Sequence, residues 1–169
     1  MSGRRLVGVF ALGLALVGAA GAGINANWSD HATGAQEVPP RDTLAQGQAI
    51  FHLSDDGQSI DYRLIASNIE NVVQSHIHIG PTGANGPVVV FLYGPAAPGG
   101  GRHDGVLATG TITAASLVGP LAGQPLSVLV DAMRSGNAYV NVHTSDGVGA
   151  PDSGPGDFPG GEIRADLTP

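Results

Sequence analysis

Three short segments of this chain alternate between polar and aliphatic residues: Ser75-His76-Ile77-His78-Ile79, Tyr139-Val140-Asn141-Val142-His143 and Glu162-Ile163-Arg164-Ala165-Asp166-Leu167. A side chain regains its direction at every second residue in an extended strand, so each segment predicts a strand with one apolar face. Ile77, Ile79, Val140, Val142, Ile163 and Leu167 are then expected in the core, where burying each is worth roughly 1.5–3 kcal/mol. A slip of one residue would put His, Asn or charged groups in their place, so the register is strongly enforced. The opposite faces carry His76 and His78, then Tyr139, Asn141 and His143, then Glu162, Arg164 and Asp166. The expectation is that the three strands share one sheet and turn this polar set toward solvent together.

The remaining chain is cut into short runs by glycine and proline. Gly47–Leu53 and Ser59–Ile65 read as strands joined at Asp56-Gly57, a hairpin signal. Val72–Ile79 and Pro87–Leu92 form a second pair around the turn Gly80–Gly86. A Pro/Gly loop over Tyr93–Gly105 leads to a strand at Val106–Thr113, and further strands are expected at Ala138–Thr144 and Gly161–Leu167. One helix is predicted between Pro125 and Gly136, because Leu126, Leu129, Val130 and Met133 recur at helical spacing. Asn25–Pro40 reads as an extended leading segment and Ser145–Gly160 as a long surface loop. Short strands, many turns and a single helix predict an all-β fold, an antiparallel β-sandwich or barrel with one short helix.

The amino-terminal residues have the layout of a signal peptide. Arg4 and Arg5 precede an apolar run, Leu6–Val17, shorter than the about 20 residues of a membrane span. Ala20-Gly21-Ala22 then supplies the small residues that a signal peptidase reads. Residues 1–22 are expected to be a signal peptide cleaved near Ala22, with Ala26 as the other position. Residues 23–30 are expected to be a linker and residues 31–169 one β domain of about 140 residues, enough for a single core. A retained anchor is the alternative, weakened by Gly13, Gly18, Gly21 and Gly23. The expected location is secreted or extracytoplasmic, with no membrane span after cleavage.

The chain has no lysine and no cysteine. Removal of the leader leaves five arginines against fourteen acids, a formal charge of −9. Scattered single arginines on so acidic a chain make no phosphate-binding stripe, which argues against nucleic acid as a partner. Without thiols there is no disulfide, no thiolate nucleophile and no thiolate ligand. Any metal site must therefore use His, Asp or Glu.

The polar faces supply such residues. A His-x-His pair on a strand sends both imidazoles from one face, and a third histidine from a neighbouring strand would complete a three-nitrogen site for Zn²⁺ or Cu²⁺. His76, His78 and His143 are the candidate ligands, with Glu162 as a fourth ligand or as an acceptor for a ring N–H. Zinc would suit structure or hydrolysis, and copper redox work. The other reading is a hydrogen-bonded ladder across a solvated sheet face, with Glu162 paired to an arginine. His31 and His103 lie in predicted loops, and His52, between Phe51 and Leu53, is expected to face solvent. Asp146, Asp152 and Asp157 lack the dense spacing of a calcium loop. No Gly-x-Ser-x-Gly elbow and no phosphate-binding glycine order is present, so no catalytic residue is assigned.

Four phrases in order, Gly34-Ala35-Gln36-Glu37-Val38-Pro39-Pro40, Ser75–Gly80 with Asn85–Val89, Gly136–Thr144 and Pro159–Arg164, resemble the CHRD domain, named for its repeats in chordin. The resemblance covers about Asp30 to Leu167. It implies an all-β extracellular module, here without the accompanying modules of chordin-like proteins. The chain departs from the family's compact pattern at Ser145–Gly160, where it is longer. The His-x-His strand with a later Val-His strand is also loosely similar to copper–zinc superoxide dismutases, whose Asp and bridging-His pattern is not matched. The first functional expectation is a non-enzymatic module that binds an extracellular protein or small ligand through its histidine-bearing face. The second is a Cu or Zn protein with dismutase-like or hydrolytic chemistry.

Overall fold

The computed structural model describes residues 26–168. Eight strands follow in chain order: β1 Asn27–Thr33, β2 Gln46–Leu53, β3 Ile60–Glu70, β4 Val72–Ile79, β5 Val88–Tyr93, β6 Arg102–Ile112, β7 Ala138–Thr144 and β8 Ile163–Asp166. They form one antiparallel sheet in the order β5-β4-β7-β8-β1-β2-β3-β6. The sheet curls until its edge strands β5 and β6 come close. The Tyr62 hydroxyl on β3 donates to the Leu92 carbonyl on β5 at 2.7 Å across that seam. The result is a nearly closed barrel with one helix, as the sequence pattern predicts.

The expected hairpin between β2 and β3 is present, with Gly57 of its Asp-Gly turn at a φ of 69°. The helix, α1 Leu126–Arg134, has Pro125 as its N-cap, and Gly136, at a φ of 66°, carries the chain out of it. Leu126, Leu129, Val130 and Met133 bury into the same core as Phe51, Leu64, Ile77, Val140, Val142, Ile163 and Leu167. Ile79, expected inside, is only half-buried. The leading segment holds more structure than an extended lead-in, because β1 pairs along its whole length with β2 and takes in Asn27–Asp30 of the stretch expected as a linker. Trp28 and Ala32 anchor that strand in the core. The expected leader, residues 1–22, lies outside the described residues.

β4, β7 and β8 are neighbours, so the three alternating segments share one region of the sheet. All seven residues of β7 are buried. A strand buried on both faces needs cover on both, and here the barrel core covers one face and loops cover the other.

Candidate metal centre

The register of β4 against β7 sets His76 opposite Asn141 and His78 opposite Tyr139, with His143 opposite Gln74 near a bulge. On the other side of β7, Arg164 stands opposite Asn141. Alternation then gathers the three imidazoles on one face. Ring centroids lie 4.9 Å apart for His76 and His143, 5.6 Å for His76 and His78, and 6.3 Å for His78 and His143. One ring nitrogen from each of the three falls within 4.8 Å of the others, the only group of three such side chains among the described residues with the spacing to hold a metal ion.

The expectation that this face meets solvent is overturned. His76 is 3% exposed, His78 and His143 7% each, and Arg164 not at all. Three segments cover the face and lock to one another. Arg164 donates to the carbonyls of Ala84 at 2.9 Å and Pro81 at 3.1 Å, which pulls the turn between β4 and β5 down over the sheet. The Arg164 guanidinium also pairs with Asp166 at 2.6 Å and sits 3.5 Å above the Tyr139 ring. Tyr139 stacks in turn on His78 at 4.7 Å. The segment after β1 adds Asn85 Nδ2 donating to the Val38 carbonyl at 2.7 Å. The long loop before β8 is fastened by Arg41, which pairs with Asp152 at 3.0 Å and covers the Phe158 ring.

Close approach of these segments depends on two glycines. A Cβ at Gly86 would fall on the Ile79 carbonyl, and one at Gly161, where φ is +125°, would lie 2.5 Å from the Glu37 carboxylate. A side chain at either place would lift its loop from the face.

Backbone carbonyls in the cover assign two of the imidazole tautomers. His78 Nδ1 lies 2.8 Å from the Gly86 carbonyl oxygen and His143 Nδ1 2.8 Å from that of Pro159, so both carry their proton there. Each Nε2 therefore carries a lone pair on the side of the site. This is the outer hydrogen bond that orients metal-bound histidines and raises their basicity. His143 Nε2 accepts from His76 Nδ1 at 3.1 Å, which places the His76 proton on Nδ1 and leaves its Nε2 as the lone pair. His76 Nε2 and His78 Nε2 are buried with no hydrogen-bond partner. Burial, then repulsion from His143 and His78, takes the His76 ring down to about 4. Burial likewise takes His143 to about 4, against its bond to Pro159, and lowers His78. The three rings are therefore neutral at pH 7, the form that binds metal.

Glu162 is fully buried but turned away from the rings. Its carboxylate accepts from Thr43 Oγ1 at 2.6 Å, Thr144 Oγ1 at 2.7 Å and the Gly156 amide at 2.9 Å. With both oxygens so engaged, it clamps the two covering segments beside His143 rather than joining the histidine group. Among the described residues no arginine pairs with it, and it stands outside the group formed by the three histidines. His52 is exposed as expected. Sequence reasoning missed Glu37, whose carboxyl is 4% exposed and pushed up to about 7, chiefly by burial and against Arg164 and Arg41. No periodicity marks Glu37, which lies outside the strands and packs against Gly161, far along the chain.

A buried, neutral three-nitrogen cluster on a barrel-like antiparallel sheet defines a β module with a candidate cation centre. The chain belongs to the CHRD domain family, whose sequence model matches residues 28–150. That span runs from β1 through β7 and contains all three histidines, while β8 and most of the long loop lie beyond it. No curated protein and no solved structure matches the chain.

Proposed function

We propose that this CHRD-domain chain is an exported protein that binds one divalent transition-metal ion, Cu²⁺ or Zn²⁺, through His76, His78 and His143. The observation that carries the reading is the convergence of three buried ring nitrogens within 4.8 Å, two of them freed by backbone carbonyls at the opposite ring nitrogen. A ladder of polar residues on a wet surface would exchange its hydrogen bonds with water. These rings are sealed from water, and two of their lone pairs have no donor, which a cation would satisfy. A donor set of neutral imidazoles without thiolates suits Cu²⁺ and Zn²⁺ over softer ions. Burial also favours an ion over a protein partner, because rings 3–7% exposed offer a macromolecule almost no surface. Export rests on the leader composition of residues 1–22.

The test is elemental analysis of protein purified without an affinity tag, followed by titration calorimetry with Cu²⁺ and Zn²⁺. Stoichiometric binding of at least one ion is expected, and its loss when all three histidines become alanine. Equal binding by the wild type and the triple variant would refute the site.

A further inference from the structure

We infer that Asn141 Oδ1 is the fourth ligand of this centre, so that the ion sits in a shell of three imidazoles and one carboxamide oxygen. The assignment rests on the three-histidine reading above and adds a residue to it. Asn141 is 4% exposed and occupies the middle of the polar face. His143 follows it by two residues on the same strand, and His76 stands directly opposite on β4. Yet Oδ1 is buried without any donor.

The tautomer of His78 explains why. Its ring proton sits on Nδ1, held by the Gly86 carbonyl, so Nε2 is a second unpartnered acceptor and has no proton to give Asn141 Oδ1. Neither can satisfy the other. His76 Nε2 adds a third buried acceptor with no partner. Buried acceptors nearly always find a donor, and several stranded together mark a place where positive charge is missing. The nearest fixed cation does not supply it. Arg164, across from Asn141 on β8, spends its guanidinium on Asp166, Pro81, Ala84 and the Tyr139 ring. The carboxylate that could have competed as fourth ligand, Glu162, is held by three other donors. One oxygen added to three imidazole nitrogens completes a four-coordinate set of a kind that Zn²⁺ and Cu²⁺ accept.

The test uses untagged wild-type protein, Asn141→Ala, Asn141→Asp and His78→Ala, each titrated with Cu²⁺ and examined by electron paramagnetic resonance. Thermal unfolding of the metal-free proteins reports their folding. Asn141→Ala is expected to bind Cu²⁺ about 10–100-fold more weakly, with a changed copper hyperfine coupling. Asn141→Asp, which keeps an oxygen in place, is expected to retain binding and to shift the coupling, because a carboxylate donates more charge than an amide. Should the alanine variant fail to fold, the aspartate spectrum decides. A wild-type copper spectrum in Asn141→Asp, or wild-type affinity and spectrum in Asn141→Ala, would overturn the assignment while leaving the histidine site standing, provided His78→Ala loses the metal. A wild-type protein that binds no Cu²⁺ would remove both readings together.

Discussion

Strands β2 and β7 carry the same alternation and have different fates. In β2, Ala49, Phe51 and Leu53 point into the barrel while Gln46 and His52 stand in solvent. In β7, Val140 and Val142 point into the same core, but Tyr139, Asn141 and His143 are buried as well. Alternation therefore reports which side chains share a face, and the cover decides whether that face meets water. A histidine on the open side is a surface group, whereas one under the cover is a neutral imidazole with a directed lone pair.

The comparison can be broken most sharply at Arg164. Removing a buried guanidinium that holds Asp166 and two loop carbonyls should cost about 3–5 kcal/mol. Urea unfolding of Arg164→Ala measures this, set against Arg63→Ala on the open face of β3, where less than about 0.5 kcal/mol is expected. Equal costs would mean that the covering segments are not held as described.

A pH series on metal-free protein separates the buried groups by sign. His76 and His143 fall from 6.5 to about 4, so the unfolded chain takes up protons first, and stability present above pH 6.5 is lost as pH falls toward 4. Glu37 behaves oppositely: its carboxyl rises from 4.5 to about 7, so its contribution is complete below pH 4.5 and is lost as pH rises through 7. The stability of metal-free protein should therefore crest near pH 6.5: up to there the gain from the two histidines outweighs the loss from one carboxyl, and above it only the Glu37 loss remains. Glu37→Gln should leave the acid side unchanged and stabilise the protein near pH 8 by up to on the order of 3 kcal/mol. A profile for this variant that matches the wild type would place Glu37 in water.

Metal should sharpen the contrast by a somewhat smaller amount. An ion at 100 times its Kd adds about 2.7 kcal/mol to the stability of a protein that binds it only when folded. Thermal unfolding with Cu²⁺ or Zn²⁺ should show that gain in the wild type and in His52→Ala, and not in His78→Ala. The smallest effect belongs to His52 itself. His52→Ala without metal should stay within about 0.5 kcal/mol of the wild type, because the ring is exposed and bonds only to the Asn27 side chain.

Much of the barrel was legible in the residues. Period-two alternation located β4, β7 and β8, Asp56-Gly57 located the first hairpin, and the spacing of Leu126, Leu129, Val130 and Met133 located α1. These are local signals, carried by residues within a few positions of one another. β1 was harder to read, because its core contacts are only Trp28 and Ala32 and its pairing with β2 crosses the long segment between them. Alternation also placed His76, His78 and His143 on shared faces, and with them the idea of a common ligand.

The sequence by itself determined which side chains leave each strand together, because strand geometry makes that a matter of odd and even positions. Only the tertiary structure decided that the polar face lies under cover, that Glu162 clamps loops, and that the oxygen of Asn141 is buried there without a donor. Each depends on loops folding back onto the sheet, some from nearby, as Gly86 and Pro159 do at the ring nitrogens and Gly156 at Glu162, and some from far along the chain, as Thr43 does at Glu162 and Gly161 at Glu37. Burial and hydrogen-bond partnership are properties of that meeting, and no local pattern encodes them.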